Sequence, residues 1–159
     1  MRKDLIGVIL YLYFKIFKRN IKMDFPCKVS PFFAFKLMKK NINVSLASAF
    51  IGRDVAISDG CCFYENPILF GNVTIGRYTS INGPGTRIFA KKNRIIIGSF
   101  CSIASNVIIQ EYNHSINRVT SYPIFSHIFN ENVEEITSKG NIIIEDDVWI
   151  GSNTVILSG

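Results

Sequence analysis

Two histidines and a carboxylate in the second half of the chain have side chains suited to proton transfer. His114 and His127 are the only histidines, and a neutral imidazole can accept a proton from a hydroxyl near pH 7. Asn113 directly precedes His114, and Glu111 lies three residues before it. We predict that His114 is a general base and that His127 has a structural or substrate-side role. Glu111 orients the imidazole, contacts a substrate, or is a solvated loop carboxylate.

Metal and disulfide chemistry find less support in the sequence. A zinc site built from three histidines lacks one ligand, since the chain has two histidines. The four cysteines, Cys27, Cys61, Cys62 and Cys101, form no CxxC pair and no dense framework. We therefore expect that no metal is required and that the thiols are reduced and structural, as in a cytoplasmic protein.

A sequence repeat of six residues predicts the scaffold that positions the histidines and Glu111. A leading apolar residue recurs at this spacing in twelve frames: Ile51, Ile57, Phe63, Leu69, Ile75, Ile81, then Ile97, Ile103, Ile109, then Ile144, Ile150, Ile156. Neither a helix, with 3.6 residues per turn, nor a simple strand, with a period of two, explains a strict period of six. A short strand plus a turn does, so that three frames make one triangular coil with its leading residues inside.

The fold class that follows is all-β. We predict a parallel β-helix of about four to five coils, whose stacked leading residues form one continuous apolar column. Glycine often follows the leading residue, as in Gly76 and Gly98. We expect these glycines to supply turn angles that other residues avoid.

Two interruptions separate the three runs of frames. Residues 84–95 are predicted to form a small bulge between coils. Residues 110–141 contain no frame, contain both histidines and are too long for a turn. A long loop inserted into a rigid scaffold is where functional residues usually lie, so we expect an inserted active-site loop here.

The beginning of the chain differs from the remainder in charge and in aromatic content. Residues 1–40 contain 10 of the 18 basic residues and 2 of the 12 acidic ones, whereas residues 41–159 have a net charge of −2. We expect a basic, aromatic N-terminal helical segment (1–46) followed by a hexapeptide β-helix domain (47–159). The net negative charge of the body gives little support to a nucleic-acid partner.

Residues 4–22 are predicted to form a helix. One face of this helix then carries four basic residues, Lys15, Lys18, Arg19 and Lys22. A secretory signal would need a cleavage site of small residues at this position, so the sequence does not favour one. Two roles stay open for the N-terminal segment: an interfacial membrane anchor, or a cap over the open end of the coils. Both hold if they use different faces.

The pattern resembles a known group of enzymes, the left-handed parallel β-helix acyltransferases. The branch with xenobiotic acetyltransferases and polysaccharide O-acetyltransferases is indicated by Ile97-Gly98-Ser99-Phe100-Cys101-Ser102-Ile103-Ala104, Asn113-His114-Ser115, Tyr122-Pro123 and Glu145-Asp146-Asp147-Val148-Trp149-Ile150-Gly151-Ser152. The resemblance covers residues 47–159. The left hand of the helix is implied by this resemblance alone, since the general rule for parallel crossovers favours the opposite hand.

This resemblance also implies a reaction and an assembly. Acetyl-CoA would be the cosubstrate, a hydroxyl the acceptor, and the enzyme a homotrimer with its site between subunits. His114 would take the hydroxyl proton, and no covalent intermediate is required when both substrates are held together. Hydrogen-bond donors would stabilise the tetrahedral oxyanion.

Further site residues are expected on the same basis. The substrate-binding set comprises Asn82, Glu111, Asn113 and Tyr122, and the cofactor-binding set comprises Trp149, Gly151 and Ser152. Asn82 binds the acceptor or the oxyanion, or is one of the asparagines common at coil corners. Trp149 lines the pantetheine channel or packs at the coil edge.

Three functions remain in competition. The leading hypothesis is an O-acetyltransferase acting on a sugar hydroxyl of a cell-surface polysaccharide or its precursor, in the cytoplasm or peripherally at the inner membrane face. The alternatives are a xenobiotic (antibiotic) acetyltransferase and a non-catalytic β-helix scaffold. Enzymes of this kind usually continue with one or two further coils, so we expect the β-helix to be incomplete at its C-terminus, where the chain stops within a frame.

Overall fold

The computed structural model describes residues 2–17, 20–24, 27–39 and 42–159 of the chain. Its three helices are α1 (Arg2–Phe17), α2 (Pro31–Lys39) and α3 (Ile124–His127). Its eighteen strands, within these residues, are β1 (Ile21–Asp24), β2 (Lys28–Val29), β3 (Val44–Ala47), β4 (Phe50–Ile51), β5 (Ala56–Ile57), β6 (Cys61–Tyr64), β7 (Ile68–Phe70), β8 (Val73–Ile75), β9 (Ser80–Asn82), β10 (Arg87–Phe89), β11 (Ile95–Ile97), β12 (Ser102–Ile103), β13 (Ile108–Gln110), β14 (Asn113–His114), β15 (Ile136–Thr137), β16 (Ile142–Ile144), β17 (Trp149–Ile150) and β18 (Val155–Leu157).

Three parallel sheets form the sides of the β-helix. Sheet A has the order β1-β3-β6-β9-β12-β17, sheet B the order β2-β4-β7-β10-β13-β18, and sheet C the order β5-β8-β11-β16. The chain visits sheets A, B and C in turn, so each circuit is one coil, and every neighbouring pair of strands is parallel. Sheets A and B each have six strands in the described residues, which exceeds the four to five coils expected.

The leading residues of the hexapeptide frames form the core, as predicted. In sheet A, Phe63 is in register with Ile81, Ile81 with Ile103, and Ile103 with Ile150. Of the twelve leading residues all are buried except Ile156, which is half-buried. Burying one such side chain stabilises the fold by about 1.5–3 kcal/mol, so the stacked column is the main source of stability.

The role expected for the glycines behind the leading residues is wrong. Gly76 and Gly98 do not have a positive φ, and the left-handed positions fall on Tyr78 and Phe100 instead, with φ of 57° and 61°. The glycines are required by close approach between coils. A Cβ on Gly76 would lie 2.6 Å from the carbonyl oxygen of Gly98 in the next coil.

The N-terminal segment differs from the predicted helix over 4–22. Helix α1 ends at Phe17, and Lys22 lies on strand β1 of sheet A, so it does not share a helical face with Lys15. Lys18 and Arg19 lie outside the described residues. Strands β1 and β2 extend sheets A and B, which places the start of the coil stack before residue 47.

Both N-terminal helices bury apolar residues against the first coil. Phe14 of α1 and Phe33, Ala34 and Leu37 of α2 belong to the core. Helix α2 stands in the chain between β2 and β3, where the next coil has strand β5 of sheet C. No helix within the described residues has the length and apolar character needed to span a membrane.

The region 84–95 is not a bulge. It contains strand β10 and the start of β11, and Ile88 and Ile95 are fully buried. The hexapeptide spacing is lost here because the turns before and after β10 are longer, while the strand itself stays in register with β7 and β13.

The four cysteines all lie within the described residues. Cys27, Cys61 and Cys101 are buried and Cys62 is half-buried, and none forms a disulfide. Burial raises the pKa of the Cys61 thiol, which keeps it in the neutral form.

Candidate functional site

The inserted loop, residues 110–141, leaves sheet B after β13 and rejoins sheet C at β16. Its base is an antiparallel pair of strands, in which Asn113 faces Thr137 and His114 faces Ile136. The short helix α3 lies between the two strands in sequence. The loop is therefore a structured excursion, and the strand pair holds the backbone of His114.

His114 presents an exposed imidazole at the base of this loop. Its backbone carbonyl accepts a hydrogen bond from Oγ1 of Thr137 at 3.5 Å. Among the described residues, the imidazole itself has no hydrogen-bond or ion-pair partner. Both ring nitrogens are thus accessible to a substrate, which is the condition for a general base. The neighbouring Asn113 is half-buried.

Glu111 is fully buried, so the solvated alternative for this carboxylate is wrong. Oε2 accepts hydrogen bonds from the backbone N–H groups of Lys91 and Lys92 at 3.0 and 2.9 Å, and Oε1 accepts one from Nδ2 of Asn93 at 3.0 Å. These donors lie in the turn of the preceding coil. Through these contacts Glu111 stabilises that turn. A contact between Glu111 and a substrate remains a prediction.

The charge state of Glu111 follows from these contacts. Burial opposes ionisation, but hydrogen bonds from Ser138, Asn93, Lys91 and Lys92 outweigh it and lower the pKa to about 2. Glu111 is therefore a carboxylate at neutral pH, and its negative charge is matched by donors on the turn of the coil below.

A second carboxylate, Glu135, stabilises the tip of the inserted loop, and sequence reasoning missed it. It accepts hydrogen bonds from the backbone N–H groups of Phe125 and Ser126 at 3.0 and 2.9 Å, at the first turn of α3. It also forms an ion pair with Nη2 of Arg118 at 3.3 Å. Despite its burial, the hydrogen bonds from Ser126 and Phe125 and the charge of Arg118 lower the pKa of Glu135. No local motif links these positions, which are brought together by the loop's own fold.

The remaining loop residues lie near the same tip. Tyr122 is exposed, and its ring meets the imidazole of His127 edge-on with centroids 5.5 Å apart. His127 is the last residue of α3. This ring contact keeps the structural role of His127 open beside the substrate-side one.

The residues expected to bind the cofactor lie at a different corner of the β-helix. Trp149 is 80% exposed on β17, and Gly151 and Ser152 follow in the turn from sheet A to sheet B. Oγ1 of Thr154 donates a hydrogen bond to the carbonyl of Gly151 at 2.8 Å and closes this turn. Trp149 does not pack against the coil edge, so its ring is available to a ligand or to a second subunit.

Asn82 lies at the same A-to-B corner, two coils earlier. It is exposed and lines an open cavity of about 550 Å³. The other lining residues are Tyr64, Glu65, Ser80, Gly83 and Ser105. The lining thus combines hydroxyl, carboxylate and amide groups with apolar surface.

The predicted site residues accordingly form two groups on either side of sheet B. Asn82, Trp149, Gly151 and Ser152 lie at the A-to-B corner, whereas Glu111, Asn113, His114 and Tyr122 lie on the B-to-C side. No hydrogen bond or ring contact joins the two groups within the described residues. Within the described residues, the candidate side chains therefore lie in two groups with sheet B between them.

Comparison with known proteins identifies acetyltransferases as relatives. No family model matches the chain. It is 37% identical over 76 residues to "Probable macrolide acetyltransferase" of Lysinibacillus sphaericus, covering 42% of this chain and 41% of that protein. It is 29% identical over 107 residues to a chloramphenicol acetyltransferase of Klebsiella aerogenes, covering 55% of this chain and 51% of the relative. It is 34% identical over 77 residues to a polysialic acid O-acetyltransferase of Neisseria meningitidis, covering 48% of this chain and 31% of the relative.

The matches thus span about a third to a half of the length of these relatives. They agree with the three parallel sheets and with the hexapeptide pattern. The resemblance stated from the sequence is confirmed: this chain is similar in sequence and fold to the hexapeptide-repeat acetyltransferases, whose fold is a left-handed parallel β-helix.

Proposed function

We propose that the protein is an O-acetyltransferase that transfers an acetyl group from acetyl-CoA to a sugar hydroxyl of a cell-surface polysaccharide or its precursor. The main support is His114, an exposed imidazole held by a strand pair on a β-helix whose relatives are acetyltransferases. A cytoplasmic location agrees with four cysteines that form no disulfide.

His114 acts as the general base in this proposal. The imidazole accepts the hydroxyl proton as the hydroxyl oxygen attacks the carbonyl carbon of the thioester. The tetrahedral intermediate then collapses, the carbon–sulfur bond breaks, and the imidazolium returns the proton to the departing thiolate. The products are the acetyl ester and the free thiol of CoA, and the base is regenerated.

The polar cavity beside Asn82 supports a sugar as acceptor. Its hydroxyl, carboxylate and amide groups can form hydrogen bonds with the hydroxyls of a sugar. The polysialic acid O-acetyltransferase relative points the same way. Acetylation of an antibiotic is the second candidate, because the other relatives named above are macrolide and chloramphenicol acetyltransferases.

A homotrimer would unite the two groups of candidate side chains. The outer face of sheet B, which lies between them, exposes Phe50, Phe70, Val155 and Leu157 beside the basic residues Lys28 and Arg87. The outer face of sheet A presents small residues such as Ser45, Ser80 and Ser102 in the middle of the sheet, with Lys22 and Trp149 towards its two ends. Three copies packed through sheet B in a head-to-tail ring would bring the His114 side of one copy to the Asn82 and Ser152 side of the next.

An acceptor comparison tests the proposed reaction. The intact protein is incubated with acetyl-CoA and either an oligosaccharide, chloramphenicol or no acceptor, and release of the CoA thiol is measured. We expect release that depends on the oligosaccharide. Release that occurs with chloramphenicol and not with the oligosaccharide would favour the antibiotic candidate. If neither acceptor raises release above the incubation without acceptor, the scaffold is favoured.

A further inference from the structure

Helix α1 has an apolar side that the protein leaves uncovered. Val8, Leu12 and Ile16 are spaced by four residues, with Ile9 beside them, so they form one stripe along the helix. The exposed fractions of these side chains are 38%, 48%, 61% and, for Ile9, 56%. We call these four residues the α1 stripe. A helix that is apolar toward solvent normally has a covering surface.

The opposite side of the same helix is already occupied. Phe14 is fully buried, and Leu10 and Tyr13 pack against the core. Helix α1 therefore covers the first coil with one side and presents the α1 stripe with the other. The cap and the membrane anchor expected from the sequence use different sides and do not exclude each other.

The segment of the chain that contains the α1 stripe is strongly basic in sequence. Residues 1–40 have a net charge of +8. Lys15 is exposed on α1, and its ammonium contacts the ring and the hydroxyl of Tyr11. On α2, Lys36 and Lys39 lie over the exposed rings of Phe32 and Phe35, at 4.9 and 4.4 Å from the ring centres.

We propose that the α1 stripe docks on an anionic lipid surface. The four apolar side chains enter the boundary between headgroups and acyl chains, while the surrounding lysines contact the negative headgroups. A second copy of the chain fits less well, because it would place two segments of charge +8 against each other. This docking goes beyond acetyl transfer and would bring the enzyme to lipid-linked acceptors.

Vesicle flotation with the full-length protein tests the docking. One set of vesicles contains phosphatidylcholine alone, and the other contains phosphatidylcholine mixed with phosphatidylglycerol. We expect binding to the mixed vesicles, weak binding to the neutral ones, and release as salt screens the charges. Equal binding to both sets, or none to the mixed set, would overturn the proposal.

A matched pair of double variants separates the α1 stripe from general hydrophobicity. Ile9→Ser/Ile16→Ser removes two exposed isoleucines of the stripe. Ile116→Ser/Ile143→Ser removes two isoleucines that are 88% and 59% exposed elsewhere. We expect the first variant to bind mixed vesicles about tenfold more weakly and the second to bind like the wild type. Equal binding of both variants would overturn the proposal.

Two further readouts guard against misinterpretation. Light scattering of Ile9→Ser/Ile16→Ser is expected to give the same mass as the wild type. A lower mass together with unchanged vesicle binding would show that the α1 stripe joins two copies of the chain, and it would overturn the proposed docking. Acetyl transfer to a water-soluble acceptor, measured without vesicles, is expected to be unchanged in this variant. Failure of docking is thereby distinguished from failure of the proposed reaction.

Discussion

His114 and Glu111 are three residues apart and have opposite environments. The imidazole of His114 is exposed and has no partner among the described residues, whereas the Glu111 carboxylate is fully buried and accepts hydrogen bonds from residues of the neighbouring turn. A group that exchanges protons with a substrate must be accessible, and a buried, fully hydrogen-bonded carboxylate is not. The exposure of His114 therefore agrees with the predicted role of a general base, whereas the burial of Glu111 assigns that carboxylate to support of the fold.

Removal of the imidazole tests the first assignment. In the intact protein, His114→Ala is expected to lower kcat by about 10²–10⁴-fold, because no other group then takes the hydroxyl proton. Binding of acetyl-CoA, measured by calorimetry, is expected to change little. His127→Ala is the control, with a much smaller effect on kcat. Near-normal turnover in His114→Ala would remove the assignment and favour a scaffold.

The charge of Glu111 makes a contribution to stability that depends on pH. Because the folded pKa is lowered to about 2 from an ordinary value of 4.5, the contribution is complete above pH 4.5 and is lost as pH falls toward 2. Glu111→Gln is expected to lower the free energy of unfolding at pH 7 by about 1–3 kcal/mol. Its loss of stability between pH 7 and pH 3 should be smaller than that of the wild type, as measured by urea denaturation.

Glu134→Gln is the matched control for this measurement. Glu134 is exposed and pairs with Nζ of Lys92 at the surface, at 3.0 Å. Surface ion pairs contribute little to the free energy of unfolding, so the stability of Glu134→Gln should equal that of the wild type at both pH 7 and pH 3. A Glu111→Gln protein with wild-type stability at pH 7 would contradict the role of this carboxylate.

At the scale of elements, glycines that lack a side chain allow neighbouring coils to approach closely. A Cβ on Gly98 would lie 2.6 Å from the backbone carbonyl carbon of Glu145, whereas a Cβ on Gly151 would meet nothing within 4 Å. Both glycines follow the leading apolar residue of a frame, so the sequence does not distinguish them. Only the presence of a neighbouring coil makes one of them indispensable.

Alanine substitution of these two glycines measures the difference. Gly98→Ala is expected to lower the free energy of unfolding by about 1–3 kcal/mol, because backbone atoms of two coils must move apart. Gly151→Ala should change it by less than about 0.5 kcal/mol. Thermal unfolding of both variants checks this, and equal unfolding temperatures would show that the inter-coil contact is not tight.

At the scale of the whole molecule, sheet B lies between two incomplete groups of site residues. Its exposed apolar side chains and the position of these groups on either side support one arrangement, a ring in which each site combines two copies. The same arrangement would cover Phe70 and Leu157, which otherwise stand in solvent.

The proposed ring can be disrupted through this face. We expect the intact protein to scatter light as a trimer and Phe70→Asp/Leu157→Asp to scatter as a monomer, with loss of acetyl transfer, because buried unpaired carboxylates are costly. Thr74→Asp/Ile143→Asp on the outer face of sheet C is the control and should remain trimeric and active. If Phe70→Asp/Leu157→Asp remains a trimer, the interface lies on another face of the β-helix. If the protein is active as a monomer, the proposed ring is wrong.

The coil core was predictable from residue types alone, since a period of six fixes which side chains point inward regardless of what surrounds them. Leading residues such as Ile75, Ile103 and Ile150 are buried as expected. Strands β1 and β2 were not predicted, because residues 21–29 lack the hexapeptide period and follow an apolar stretch that favours a helix. Strand β10 was missed because longer turns on both sides displace its apolar residues from the frame.

The sequence by itself determined the repeat, the inserted loop and the candidate base, because each depends on residue type and local spacing. The tertiary structure decided which polar groups are buried and which are accessible. The donors around Glu111 come from residues 18–27 positions away, and those around Glu135 from 9–10 positions away with no motif to mark them. The separation of His114 from Asn82 and Ser152 across sheet B likewise results from the winding of the chain, since burial and distance between coils are properties of the fold and not of the local sequence.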